Sequence, residues 1–159
     1  MKQLLYAWRV TSARRKETAL DGVGAALAGG RWNPVGVKMV YCAESLALAV
    51  LEVRVHLPIQ QQPTAAFVGI ELEILEEAIE RPSKLPRNWK TAPTRSTEDT
   101  AARRFGARWV KEARSVALQL PSAIIPSESL FLLNPEHPDF PKAVKIRRTL
   151  PVFFDPRLW

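Results

Sequence analysis

Five of the seven glycines of this 159-residue chain fall in one short stretch, "GVGAALAGGRWNPVG", residues 22 to 36. Glycine reaches backbone angles that other residues avoid, and Asn33-Pro34 adds a turn signal, so the stretch demands a loop with unusual backbone angles. Such a loop lets backbone approach a ligand closely beside Arg31. Its likeness to a dinucleotide-binding glycine loop is loose, because no strand-linked G-x-G-x-x-G and no βαβ context accompany it.

The residues after the loop narrow the choices further. "VKMVYCA" reads as a short, largely buried strand. Glu44 and Ser45 then offer a helix start, and "SLALAVLEVRVHL" continues without a breaker until Pro58. Glu52 is therefore helical, one turn from Leu48, Ala49, Val55 and His56, on a mostly apolar face that is expected to pack inward. A buried carboxylate without a partner is costly or changes its protonation, and an arginine is the obvious partner. Two readings stand side by side: a buried salt bridge that only fixes the fold, or part of a site.

Four other polar residues share such settings. Tyr41 reads as core filler with a satisfied hydroxyl or as a surface for a ligand ring. Arg9 sits near the end of the first strand, where pairing with an acid at the sheet edge is the simple account. Arg31 is harder to explain structurally, given the glycines before it and Asn33-Pro34 after it. Ser122, in "LPSAIIP", is a turn hydroxyl or a ligand contact, and Asn134 and His137 in "NPEHPDF" fit Asx-type turn bonds.

The rest of the chain alternates strands with few helices. "LLYAWRV" is a first strand, "AAFVGIELEI" another by alternation, and "LEEAIERPSKLPRNW" an acidic turn followed by a proline-broken connection. "STEDTAARRFGARWVKEAR" reads as an amphipathic helix capped by Ser96 with Asp99 three residues on, carrying Phe105, Trp109 and Val110. "SVALQLPSAII", interrupted at Pro121-Ser122, and "ESLFLLNP" are two strands, and "AVKIRRTLPVFFDPRLW" supplies one or two more. The expected fold is a single strand-rich α+β domain spanning residues 1–159, long enough to bury a core.

Charge and cysteine usage bound the setting. A net charge of +7 favours anionic partners, either nucleic acid or a phosphate-bearing small molecule. The clusters "SARRK", "AARRFGARWVKEAR" and "KIRR" match no helix-turn-helix, zinc-finger or RNA-recognition pattern and read mainly as solvated faces. One cysteine, Cys42, excludes an intramolecular disulfide and suits a reducing cytoplasm. No apolar stretch has the length of a membrane span, and the N-terminal apolar run is too short for a signal peptide. Two histidines and one cysteine make no metal-ligand spacing, and neither a Walker A sequence nor a G-x-S-x-G elbow is present.

The ordered pieces "YAWRV", "GGRWNPVGVKMVYCAESLALAVLEVRVH", "LPSAIIPSESLFLLNPEHPDF" and "VFFDPRLW" resemble the RES-domain family, toxins of RES–Xre toxin–antitoxin systems. The resemblance implies a split, strand-rich fold like that of ADP-ribosyltransferases, an NAD cleft and an activity that consumes NAD as substrate, with no cofactor. By position it assigns the family arginine to Arg31, the tyrosine to Tyr41, the glutamate to Glu52 and the serine to Ser122, with Ser127 and Ser129 nearby and Ser122 chosen on "PSAII". Arg9 falls where related transferases place a basic residue in the cleft.

The resemblance also implies a bacterial toxin causing growth arrest, an Xre-like antitoxin covering the cleft, and a homodimer within a larger complex. The residues agree with the chemistry. Ordinary glycosides need two carboxylates, but the nicotinamide of NAD is already cationic and leaves neutral, so one glutamate suffices. Glu52 would stabilise the ribosyl cation, Arg31 and Arg9 would hold the pyrophosphate, Tyr41 would pack on the nicotinamide or its ribose, and Ser122 would position a ribose or amide group. Water as acceptor gives a glycohydrolase, inorganic phosphate a phosphorylase, and a protein side chain an ADP-ribosyltransferase, with NAD degradation ranked first. The competing class is a non-enzymatic basic module that binds nucleic acid with steep salt dependence and no need of Glu52.

Overall fold

A computed structural model describes residues 1–59, 63, 65–94 and 97–159. The chain runs β1 (Leu4–Ser12), α1 (Val23–Ala28), β2 (Val40–Ala43), α2 (Leu46–Arg54), β3 (Phe67–Leu75), β4 (Ile79–Glu80), α3 (Ala101–Glu112), β5 (Ala117–Pro121), β6 (Ser129–Leu133), α4 (Phe140–Ala143) and β7 (Val144–Val152), with short 3-10 turns between. Among the described residues the strands form one sheet in the order β4-β5-β6-β2-β1-β3-β7. Every pairing is antiparallel except β4 with β5. The strand-rich α+β expectation holds.

The sheet is split at its middle. β1 pairs with β3 along its whole length, from Leu4↔Leu75 to Ser12↔Phe67, yet it meets β2 in register only at Trp8↔Ala43. Two well-zipped halves are thus hinged on one residue pair, and the gap between them is where a cleft can open. Arg9 lies in the middle of β1, not at a strand end, and its Nη1 donates to the Tyr41 carbonyl at 3.2 Å across the parting strands.

Three apolar clusters fix this arrangement. Trp8, Val10, Ala43, Leu48 and Ala49 seat α2 on one side of the sheet. Ala7, Val40, Cys42, Ile70 and Leu72 pack on the other. Trp32, Met39, Trp109, Leu118 and Leu132 hold α3. There Gly106 is mandatory, because a Cβ on it would stand 1.8 Å from the Trp32 carbonyl oxygen. β3 is buried on both faces from Gly69 to Leu72, so its expected alternation is lost. Its Glu71 is neutralised by Arg147 and Arg148 of β7, and Arg148 also lies over the Trp8 ring.

Several boundaries differ from the sequence reading, each for a local reason. The glycine-rich stretch contains α1, because "VGAALA" is a good helix former once Gly22 and Gly29, both at positive φ, turn the chain at its two ends. α2 stops at Arg54 rather than running to Pro58: Val55 keeps right-handed angles, but the N–H groups of His56 and Leu57 bond back three residues, to the carbonyls of Val53 and Arg54, so the chain tightens into turns before the proline. Ser45 caps α2 as expected, accepting from the Leu48 N–H at 3.1 Å. The expected cap Ser96 lies outside the described residues, and α3 is capped by Thr100, whose hydroxyl accepts from the Arg103 N–H. Asn134 makes the expected Asx turn with the Glu136 N–H.

Candidate active site

The gap beside Trp8↔Ala43 opens into a cleft of about 560 Å³, a size usual for small-molecule sites. Arg9, Arg31, Tyr41 and Glu52 all line it, joined by Arg14, Arg15, Cys42 and His56. Four of the five residues singled out from the sequence therefore meet in one place. The fifth, Ser122, is fully buried and stands behind Glu52 instead of lining the cleft.

Ser122 holds the glutamate. Its hydroxyl donates to Glu52 Oε1 at 2.9 Å and accepts from the N–H groups of Ile124 and Ile125 at 3.0 and 3.1 Å. The two amides leave the hydroxyl proton no other direction, so Glu52 receives a pre-aimed, charge-assisted bond. Ser129, the nearby alternative, spends its hydroxyl on Gln119. Burial raises the Glu52 pKa above the ordinary carboxylate value, against the downward pull of the Ser122 bond and the Arg31 charge.

The expected arginine–glutamate ion pair is absent among the described residues, where no arginine or lysine nitrogen lies within 4.0 Å of the Glu52 carboxylate. Arg31 turns its Nη1 to three carbonyls, of Trp89, Lys90 and Ala92, at 2.7, 2.8 and 2.7 Å. These carbonyls end a 3-10 turn and carry its negative dipole, which is why they capture a cation. One corner of the guanidinium is thereby fixed, and Nε and Nη2 make no bond to any described residue. Burial lowers the Arg31 pKa, while Glu52 and Tyr41 pull it upward.

Tyr41 is tied down at its hydroxyl, which donates to Asn33 Oδ1 at 2.6 Å and accepts from the Trp32 N–H at 3.1 Å. Its pKa is raised, chiefly by burial. Gly30 faces this bond, and a Cβ there would come 2.6 Å from the Tyr41 hydroxyl and 2.8 Å from Asn33 Oδ1. Arg9 has a buried Nε without a protein partner, beside Cys42, whose thiol burial pushes up to about 12 against the opposing pull of Arg9. Burial also lowers the Arg9 pKa.

Two residues of this framework escaped the sequence reading. Asn33, fully buried, donates through Nδ2 to the carbonyls of Ala25, Pro34 and Val37, stapling α1 to the loop. Its only sequence signal was the place before a proline in a glycine-rich run. Arg103, read as part of a solvated basic face, is buried and donates from Nε to the Gly30 carbonyl at 2.9 Å and from Nη1 to the Glu98 carbonyl at 2.6 Å. Its neighbour Arg104 has the same character in sequence but pairs at the surface with Asp99.

The C-terminal residues brace the far end of α2. Arg54 Nε donates to the Leu158 carbonyl at 2.7 Å and its guanidinium stacks on the Trp159 ring, while Trp159 Nε1 donates to the Pro58 carbonyl. α2 is thus anchored at Ser45, at Ser122 and at Arg54, with Glu52 near its C-terminal end. No three His, Cys, Asp or Glu side chains converge on a metal site among the described residues. No helix among them is long and apolar enough to cross a membrane.

Comparison with known proteins bears on this geometry. A family model described as RES domain matches residues 6–155. The chain is 39% identical over 158 residues to a protein named Prs ADP-ribosylating toxin from Sphingobium sp. (strain YBL2), covering 95% of this chain and 94% of that protein. It is 34% identical over 154 residues to Toxin Res of Yersinia enterocolitica, covering 95% and 97%. In structure it resembles a chain of the M. tuberculosis MbcT-MbcA toxin-antitoxin complex, with a TM-score of 0.68 and 17% identity over 96% of this chain and 86% of that one. That likeness extends over the strand-rich α+β fold as a whole, split sheet included.

Proposed function

The chain belongs to the RES domain family, and from that premise we propose that it is the toxin of a toxin–antitoxin pair and that it cleaves the nicotinamide–ribose bond of NAD. The observation that carries the proposal is the setting of Glu52: a single half-buried carboxylate, aimed by a buried serine into a cleft whose other charged side chains are the arginines Arg9, Arg14, Arg15 and Arg31. That is one anionic point among cations, the pattern needed for a substrate with a pyrophosphate at one end and a developing positive charge at the other.

In this reading Glu52 binds the ribose hydroxyls and stabilises the cation that forms at the anomeric carbon. Nicotinamide takes both electrons of the breaking C–N bond and leaves neutral, so no acid is needed. The unengaged edge of Arg31 and the Nη2 of Arg9 hold phosphate oxygens. Tyr41, fixed through Asn33, offers its ring as a wall for the nicotinamide or its ribose. Ser122 keeps Glu52 in place and does not itself touch substrate.

NAD degradation, with water or inorganic phosphate as acceptor, is the first reading. Transfer to a protein is the second, favoured by the name of the Sphingobium relative. An Xre-like antitoxin that covers the cleft is the proposed partner, and a homodimer within a larger complex the proposed assembly. The test is release of nicotinamide from NAD by the purified chain and by its Glu52→Gln variant. Release that needs Glu52 supports the reading, and equal release by both sinks the assignment of Glu52.

A further inference from the structure

Resting on the NAD cleavage proposed above, we infer that Arg15, with Arg14 beside it, forms a second anion subsite of the cleft. Its ligand is the 2′-phosphate of a 2′-phosphorylated dinucleotide, so that NADP is a substrate alongside NAD. Both arginines belong to the "SARRK" cluster, which in sequence reads as a solvated face. They are exposed, yet they line the cleft.

Charge matching points to this role. The pyrophosphate of NAD carries one negative charge on each phosphate, and Arg9 and Arg31 match them. Arg14 and Arg15 are left over. Neither pairs with a carboxylate of any described residue within 4.0 Å, and of Arg15 only the backbone carbonyl is engaged, by the Thr18 hydroxyl. Glu52 is the only carboxylate lining the cleft among the described residues, and Ser122 holds it at the other wall. Asp21, an acid whose charge acts on Arg9, spends Oδ1 on the Val23 N–H at 2.9 Å. Guanidinium groups gathered without an acid between them repel one another, and a dianionic phosphate monoester relieves that repulsion while accepting forked hydrogen bonds.

The order of groups along the cleft matches the order along the ligand. Glu52 and Tyr41 stand where the nicotinamide ribose is cleaved, and both lie in the field of Arg31. Arg9, in the middle of β1, bonds to the Tyr41 carbonyl and lies in the field of Arg15. Arg15 follows β1 in the 3-10 turn Ala13–Thr18, with its Nη1 3.8 Å from where a Cβ on Gly24 would stand, against α1. Ala25 and Ala28 of α1 wall the cleft there. From Glu52 through Arg31 and Arg9 to Arg15, the cleft offers partners for a ribose, a pyrophosphate and one phosphate more. In NADP the nicotinamide ribose, the pyrophosphate and the 2′-phosphate of the adenosine ribose follow in that order.

The experiment measures, by calorimetry, binding of adenosine 2′,5′-bisphosphate and of AMP to the full chain, to Arg15→Gln and to the Arg14→Gln plus Arg15→Gln double variant. Turnover of NADP and NAD is compared in the same proteins. The parent chain is expected to bind the bisphosphate about tenfold more tightly than AMP, the worth of one hydrogen bond between charged groups. In the double variant that ratio is expected to fall to about one, and the ratio of kcat/KM for NADP to that for NAD to fall about tenfold with it. Equal binding of the two nucleotides by the parent chain would overturn the inference, as would equal loss of both in the variants, which marks a general charge effect. Inorganic phosphate is the third arm: acceleration of NAD cleavage that needs Arg15 would give the subsite to a free acceptor and overturn the assignment to the 2′-phosphate. A bisphosphate preference that needs Arg15, found in a chain that cleaves neither dinucleotide, would uphold the subsite and sink NAD cleavage alone.

Discussion

Removing one buried hydroxyl, by Ser122→Ala, tests whether the serine acts through the glutamate. The substitution deletes a bond to a carboxylate and leaves two backbone amides, of Ile124 and Ile125, without their acceptor. A hydrogen bond to a charged group is worth about 1.5–3 kcal/mol and a neutral one about 0.5–1.5 kcal/mol. Water in the cleft reaches Glu52, and the two isoleucines are only half-buried, so the low ends apply. The expected loss of stability is about 2.5 kcal/mol, of which about 1.5 kcal/mol belongs to the Glu52 bond. That share should appear as the coupling energy of a double-mutant cycle with Glu52→Ala, read by urea unfolding at pH 7.5. The same share, fully expressed in the transition state, lowers NAD turnover about tenfold. A coupling below about 0.5 kcal/mol, within the additivity expected of independent sites, would refute the claim that Ser122 positions Glu52.

The raised pKa of Glu52 has consequences for both stability and activity. A carboxyl whose folded pKa exceeds its unfolded value favours the folded state at low pH, and that advantage disappears as pH rises through the folded value. Glu52→Gln is therefore expected to be more stable than the parent chain at neutral pH and to lose that advantage below the ordinary value of 4.5, as urea midpoints at the two pH values would register. The acid limb of turnover due to Glu52 should lie above the range of an ordinary carboxylate. Gly30→Ala, pressing on the Tyr41–Asn33 bond, is expected to cost about 1–3 kcal/mol by thermal unfolding. Arg54→Ala, which loses the Trp159 stack and the Leu158 bond, should cost about 1 kcal/mol.

Legibility in the sequence tracks the range of each interaction. The strands at Leu4–Ser12, Phe67–Leu75 and Ser129–Leu133 and the helix carrying Glu52 declare themselves through local apolar runs and a serine cap. The residues of the site were found as polar side chains in apolar or glycine-rich settings, sharpened by family resemblance. The features that were not legible are long-range. The partner of Glu52 is 70 residues away, and the carbonyls that hold Arg31 lie 58 to 61 residues away. A favourable arginine–glutamate pair is sensible from charge alone, but nothing local reveals that a 3-10 turn will compete for the arginine. Arg103 and Arg104 differ in fate only because one faces Gly30 across the packed surface of α3. The short helix within the glycine-rich stretch was missed because the glycines that end it also argue for a loop.

The most direct measurement is to incubate the purified chain, free of any antitoxin, with NAD in the presence and absence of inorganic phosphate and of a cell extract, beside Glu52→Gln, and to follow nicotinamide and ADP-ribose products by mass spectrometry. The account predicts nicotinamide release by the parent chain and its loss in Glu52→Gln, with the second product naming the acceptor. Intact NAD in every mixture, with no ADP-ribosyl group on any protein, would contradict it.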